Sequence, residues 1–415
     1  MPDRPKRRCQ LPALMALAFL MPSAGAADTT WQDPHPMRLQ AISEGREFTY
    51  NAESFLHRYS YRNLPGAPAP GEDGLYGTGG SITGDQLYVE INLQKTLHFD
   101  NDRYAIQARM QRREDFDGRF DRQLVGVWRR FGEQWQAGFL ADITADKGAV
   151  DFQLEANWRP DEQRQLRLAV IQTDRLYNNK SNSGNKFQKS PTTFFAHYLQ
   201  RSTGLGSLEF SVNYSPRADY DDRELGYAVE AEQVRLMGAA VVPLGAAWHG
   251  GLRLELEQSR RDYALLDQRQ PIVADDFRRD SWHLIASATL GEHRWQPEFG
   301  LRYFELDEQG WFGTGLASSG SNRRDEWGLF ASMQIATGER HWLAPSVHLQ
   351  QVDFQRQFAQ RPLDERDQSE VVGKLTLPWR VLINAENRAV LTFNPTFRLH
   401  RFAFGGGNVQ LHWPF

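Results

Sequence analysis

Cysteine is all but missing from this chain: 415 residues carry one, Cys9. It lies ahead of the apolar stretch of the N-terminal segment, the wrong place for a lipidated cysteine at a cleavage site. Once that segment is removed, disulfides, thiolate metal sites and cysteine nucleophiles are excluded together. A thiol-free chain also suits passage through an oxidising compartment. A basic surplus is missing too. With 48 Lys and Arg against 52 Asp and Glu, the net charge is −4, which argues against nucleic acid as a partner. Long apolar runs are lacking: nothing after residue 26 approaches the roughly 20 apolar residues of a spanning helix. Mean hydropathy is negative, so a hydropathy scan reads the chain as soluble. That reading fails for β-barrels, in which only alternate residues face lipid. No His-Glu-x-x-His motif and no nucleophile elbow occurs.

The N-terminus reads as an export signal. Arg4, Lys6, Arg7 and Arg8 form a positive region, Leu11 to Met21 an apolar one interrupted by Pro12, and Ala24-Gly25-Ala26 an A-x-A cleavage site. The expected organisation is a signal peptide over 1–26, a short periplasmic segment over 27–45 and a barrel over 46–415.

Alternation dominates after residue 85. Over 150–158, Val150, Phe152, Leu154, Ala156 and Trp158 point one way, while Asp151, Gln153, Glu155 and Asn157 point the other. Successive side chains of a strand lie on opposite faces, so the run has one greasy and one wet face. Leu87, Val89, Ile91 and Leu93 repeat the pattern, as do Leu208, Phe210, Val212 and Tyr214, and Trp327, Leu329, Ala331 and Met333. A period of 3.6 fits none of these runs.

Short turns at 100–102, 132–134, 160–164, 203–206, 243–246, 291–293, 337–341 and 384–387 alternate with longer polar stretches at 62–85, 112–122, 174–191, 215–223, 259–276, 305–324 and 355–369. Short turns at one end and long loops at the other are the pattern of bacterial outer-membrane barrels. The count is about eighteen strands beginning with a weak one near 46–61; it becomes sixteen if that strand or the hairpin at 144–148 is miscounted. The fold class is therefore all-β, a transmembrane antiparallel up-and-down barrel. A soluble β-sandwich also alternates. It has no reason to place Phe99, Tyr104, Phe131, Trp135, Trp158, Trp248, Trp295 and Trp379 beside short turns and Phe194, Tyr214, Trp282, Tyr303 and Trp327 at the other strand ends. Two aromatic belts mark two membrane interfaces.

The chain ends Asn408-Val409-Gln410-Leu411-His412-Trp413-Pro414-Phe415, with Val409, Leu411, Trp413 and Phe415 on one face. This ending resembles the terminal strand of Gram-negative outer-membrane β-barrel proteins. The resemblance implies recognition by the barrel-assembly machinery, residence in the outer membrane and contact with lipid and lipopolysaccharide. The strand number is similar to that of eighteen-strand sugar, substrate-specific and polysaccharide-export channels, a likeness of fold alone. Pro414 and Asn394-Pro395 depart from a regular strand, and the latter suggests a bulge or bend.

Strand parity assigns Glu90, Arg109, Asp142, Asp151, Glu155, Arg167, Glu230, Glu232, Arg253, Glu255, Glu298, Arg302, Lys374 and Arg398 to the inner face. Charges across a water-filled lumen set ion preference. The functional expectation is a porin-like channel for passive passage of hydrophilic solutes or a polysaccharide, with no cofactor and no metal. The competing readings are a structural or partner-docking barrel without an open pore, and a rim-active hydrolase. His283 and Ser287 share a face and His197 and His348 also lie inward, yet no catalytic motif accompanies them, so the chain is read as a non-enzyme. The mixed charges of Asp219 to Glu224 and Asp275 to Asp280 read as solvated surface. Only 27–45 precedes the first expected strand, too little for a plug domain.

Overall fold

The computed structural model describes residues 73–414, apart from connections at 84–85, 116–117, 144–151, 162, 173–191, 203–205, 223–226, 268–269, 292–294, 312–318, 359–365, 385–388 and 400–401. The expected signal segment 1–26, the segment 27–45 and Phe415 lie outside the described residues. Twenty-one strands form one antiparallel sheet. The first seven are β1 (Gly74–Thr83), β2 (Gln86–Phe99), β3 (Tyr104–Asp115), β4 (Gly118–Phe131), β5 (Trp135–Asp142), β6 (Phe152–Trp158) and β7 (Arg164–Gln172). The next seven are β8 (Thr192–Ser202), β9 (Gly206–Asp222), β10 (Tyr227–Pro243), β11 (Trp248–Asp267), β12 (Gln270–Leu290), β13 (Glu298–Trp311) and β14 (Ser319–Ser332). The last are β15 (Ile335–Gly338), β16 (His341–Leu343), β17 (Ser346–Phe358), β18 (Arg366–Thr376), β19 (Trp379–Asn384), β20 (Ala389–Arg398) and β21 (Ala403–Pro414).

The sheet closes on itself, because β1 pairs with both β2 and β21, from Gly74 opposite Pro414 to Ile82 opposite Gly407. Closure satisfies every edge, which a wall in hydrocarbon requires. Three pairs of strands are single staves with a break: β14 with β15, β16 with β17, and β18 with β19. The barrel therefore has 18 staves. The breaks share a physical cause. Pro345, Pro378 and Pro395 lack an amide hydrogen, and each lends its carbonyl to a neighbour: Met333 N donates to Pro345 O at 3.1 Å, Ala344 N to Pro378 O at 2.8 Å and Leu377 N to Pro395 O at 3.0 Å. Pro395 itself stays paired, opposite Gly407.

The first stave corrects the sequence reading. The stave that closes the barrel is β1 at 74–83, inside the stretch 62–85 read as a loop, while 46–61 lies outside the described residues. Its sequence, Gly-Leu-Tyr-Gly-Thr-Gly-Gly-Ser-Ile-Thr, holds four glycines and few apolar side chains, so alternation is silent there. With the first described stave at Gly74, length no longer excludes a plug domain. The upper loops are corrected as well. Much of 112–122, 215–223, 259–276, 305–324 and 355–369 continues as paired strand, with Asp267 opposite Gln270 at one tip and Asp115 opposite Gly118 at another. Above the hydrocarbon an outward position needs no apolar residue, so the sequence signal stops where the pairing does not.

The short turns fall where expected. In the first, Asp100, Asn101 and Asp102 all take left-handed backbone (φ 50°, 53° and 65°), which Asn and Asp tolerate better than other side chains, and Arg103 N closes onto Asp100 O at 3.0 Å. Outward side chains are exposed and apolar: Leu97, Ile106, Val127, Phe139, Leu154, Leu252, Leu301, Leu329 and Leu349. Both aromatic belts are present on that surface, the lower at Phe99, Tyr104, Phe131, Trp135, Trp248, Trp295 and Trp379. In the upper belt Tyr303 lies tilted between Trp282 (centroids 4.5 Å) and Trp327 (4.2 Å).

Candidate functional site

The inner face carries the polar chemistry. Gln94, Gln107, Gln153 and Asn322 are fully buried, and Arg109, Asp142, Glu155, Arg167, Glu255, Glu298, Arg302 and Lys374 nearly so. These charged residues share the buried face of their strands with the glutamines. Arg253 and Arg398 share that face and are half-buried. Glu90 shares the strand parity of Gln94, and Asp151 lies outside the described residues.

Glu230 and Glu232 do not belong to the lumen. On β10 they pair with Asp262 and Arg260, in phase with the outward Leu252 and Leu254 of β11. Arg217 bridges Glu230 and Asp262 there, all three exposed. The apolar phase of β10 switches midway, from Tyr227 and Val229 to Val234 and Leu236, while the pairing with β11 runs through without a bulge. Above the membrane the outward face is free to be charged, so parity counted from the upper residues selects the wrong side.

Three glutamates on the wall are each shared by two arginines. Glu155 on β6 receives Arg109 of β3 through Nη1 (2.6 Å) and Nη2 (3.0 Å), and Arg167 of β7 through Nη2 (3.1 and 3.2 Å). Glu255 on β11 receives Arg253 (2.6 Å) and Arg235 (3.2 Å). Glu326 on β14 receives Arg324 (2.5 Å), with Arg302 of β13 at 3.8 Å. Beside the second cluster stand two further carboxylates of the same face, Glu257 opposite Arg235 and Glu209 in the row of Arg253.

The first cluster spans two intervening staves, and glycine makes the crossing possible. A Cβ on Gly138 would sit 2.4 Å from the Trp128 ring, so Trp128 lies flat on bare backbone. Its indole Nε1 donates to Gln107 Oε1 at 3.2 Å, and the Arg109 guanidinium sits 5.9 Å from its centroid on the way to Glu155. Ala105, Leu124, Trp128 and Leu140 form an apolar cluster inside the barrel, and Ala169, Ile171 and Phe195 form another. The inner face is thus not wet throughout: apolar groups wedge the paired charges in place.

The sector from β17 to β20 differs. His348, Lys374 and Arg398 stand in register on neighbouring staves, and Arg380 shares the inner face below them with Thr376, Thr392 and Thr396. Like charges directly opposite are unfavourable. Among the described inner-face residues of these staves the one carboxylate is Glu370, exposed and four residues above Lys374.

His283 finds another partner than Ser287, the serine that shares its face. His283 and Ser287 are four residues apart on one strand, about 13 Å at roughly 3.3 Å per residue. His283 Nε2 instead accepts from Arg302 Nε at 2.9 Å, and His197 Nε2 meets Glu209 Oε1 at 2.9 Å. A Ser–His contact that sequence reasoning missed joins Ser346 Oγ to His348 Nε2 at 3.1 Å, with Thr376 Oγ1 2.5 Å from the same hydroxyl. The Ser-x-His spacing on one strand face was its only signal. The charged neighbour of His348 across the ladder is Lys374, a cation, so nothing there orients an imidazole as a base. Among the described residues no group of three or more His, Cys, Asp or Glu converges as a metal site.

The architecture, greasy outside and polar within, is that of a closed up-and-down β-barrel of the transmembrane kind. No protein-family model matches the chain, and no curated protein matches it. Among solved structures it is similar to OccK2 (OpdF) of Pseudomonas aeruginosa, with TM-score 0.41 and 12% identity over 83% of this chain and 96% of that one. OccK2 was also solved in complex with glucuronate. OccK10 (OpdN) of the same organism gives 0.38 and 11% over 84% and 99%. OmpT, an outer-membrane protein of Vibrio cholerae, gives 0.36 and 8% over 77% and 100%.

Proposed function

We propose that this protein is an outer-membrane channel for passive passage of hydrophilic solutes, with a preference for anionic ones. The observation that carries the reading is the closed wall of 18 staves with a charged inner face. Barrels of about 16 to 18 strands enclose an aqueous channel. What supports the preference is the β17–β20 sector, where Lys374, Arg380 and Arg398 gather on the inner face with Glu370 the one carboxylate among the described inner-face residues of those staves. A cationic lining raises the local concentration of anions and lowers their barrier to entry. Lipopolysaccharide and the barrel-assembly machinery are the partners this reading implies. Val409 and Trp413 present the lipid-facing side of β21, the strand that closes the barrel against β1.

One observation favours the competing reading, a barrel without an open pore: among the described residues, inner-face side chains are buried on the staves from β2 to β20, not lining a bare lumen. Planar-bilayer recording of the purified chain separates the two. Reproducible single-channel steps, with a reversal potential in a salt gradient displaced toward the anion equilibrium value, support the channel. A silent barrel, or one that selects cations, refutes it.

A further inference from the structure

Among the described residues, four buried polar atoms without hydrogen-bond partners belong to three neighbouring side chains on consecutive staves: Arg302 Nη1 and Nη2 on β13, Glu326 Oε2 on β14 and Gln350 Oε1 on β17. Arg302, Gly328 and Gln350 form one row across the three staves, and Glu326 stands two residues above Gly328 on the same face. An orphaned buried donor or acceptor forfeits its full desolvation energy, so a group of them calls for a reason.

The guanidinium is held, not loose. Its Nε donates to His283 Nε2 at 2.9 Å, and its Nη2 faces Glu326 Oε2, the second of these atoms, at 3.8 Å, an ion pair too long for a hydrogen bond. Glu326 spends its other oxygen on Arg324 at 2.5 Å. Below and beside this group the wall is bare backbone. A Cβ on Gly328 would lie 2.8 Å from Gln350 Cγ, and one on Gly300 would lie 2.3 Å from the Phe330 ring. Gln350 and Phe330 therefore lie over two glycines, beside Arg302 and Glu326.

We infer that this row is the closed form of a subsite for a polyhydroxylated, sugar-like solute. The inference rests on the channel reading and names a solute chemistry for it. The orphans choose the ligand. Arg302 offers N–H groups and needs acceptors; Glu326 and Gln350 offer oxygens and need donors. A simple carboxylate brings acceptors alone, so it satisfies Arg302 and leaves two oxygens empty. A pair of neighbouring hydroxyls does both, accepting from the guanidinium and donating to the two oxygens. A sugar bearing a carboxylate elsewhere satisfies this row and the cationic lining together.

The test uses the full-length protein in detergent, with D-glucose as the probe and acetate as the control, read by titration calorimetry. Saturable glucose binding is expected, weakened at least about ten-fold by Arg302→Gln, the loss of a charge-assisted hydrogen bond. Gln350→Ala leaves every ion pair intact and is expected to weaken binding by a few-fold, which keeps the test decisive if Arg302→Gln does not fold. Acetate at equal ionic strength meets Arg302 alone and is expected to compete only weakly with glucose. Absence of glucose binding, wild-type affinity in folded Arg302→Gln or in Gln350→Ala, or acetate binding at this row as tightly as glucose overturns the subsite. Calorimetry needs no conduction, so a silent barrel that binds glucose through Arg302 removes the channel reading alone, and a conducting barrel that ignores glucose removes the subsite alone.

Discussion

Replacing Glu155 by Gln is the sharpest perturbation the inner wall offers. The side chain keeps its shape and loses its charge, while two arginines lose their shared partner. Arg109 gives up a bidentate contact of 2.6 and 3.0 Å and Arg167 a contact of 3.1 Å. All three side chains are at most 5% exposed, so solvent screens little of the effect. Breaking a buried pair by removing one member costs about 3–5 kcal/mol, which is roughly two to three and a half decades in the folded-to-unfolded ratio. Urea unfolding of the barrel in lipid vesicles, followed by tryptophan fluorescence, reads that loss as a lower midpoint. Removing all three charges at once, with Arg109→Met, Glu155→Leu and Arg167→Met, leaves no stranded ion and is expected to cost much less than the single change. A single variant with an unchanged midpoint, or a triple variant worse than the single one, refutes the claim that mutual compensation holds this cluster in the wall.

Other consequences are as direct. Gly138→Ala puts a methyl group into the Trp128 ring and is expected to cost about 1–3 kcal/mol in the same assay, with Trp128→Ala in the same chain relieving the clash. Leu329→Arg places a cation on the lipid face near mid-membrane and is expected to lower stability by about 2–4 kcal/mol, whereas Arg at exposed Val371, near the upper rim, costs clearly less. In the turn after β6, Asp161 accepts from Arg164 Nε (2.8 Å), Arg164 N (2.8 Å) and Gln163 N (3.0 Å), and the Arg164 side-chain bond holds its carboxyl below the usual value. A depressed carboxyl stabilises the turn above its unfolded pKa and stops doing so as pH falls through the folded one. The Asp161 carboxyl signal in NMR should therefore titrate below 3.8, and a midpoint at or above that value removes the bonding pattern.

Much of the wall was legible because its rule is local. From Phe152 to Trp158 each residue declares its face by type, and the burial of Gln153 and Glu155 against the exposure of Leu154 follows it. The rule stops where its cause stops. Glu230 and Glu232 sit above the hydrocarbon, where polarity no longer reports direction. β1 is glycine-rich and its pairing with β21 joins opposite ends of the chain, which no window along the sequence detects. The site was legible as a set of inward charges and illegible as an arrangement. Nothing local says that Arg109 passes over Gly138 and Trp128 to reach Glu155, 46 residues away. Leu124, Trp128 and Leu140 broke the expectation of a wet interior because inward apolar groups support a charge cluster as readily as outward ones face lipid.

The level at which Pro345, Pro378 and Pro395 line up is a seam across neighbouring staves with three fewer amide protons to exchange or to lock. It lies close to the strand that must join the first and last staves when the cylinder shuts. A wall short of hydrogen bonds at that height bends there at less cost, so the zipping of β21 onto β1 has a compliant flank rather than a rigid one.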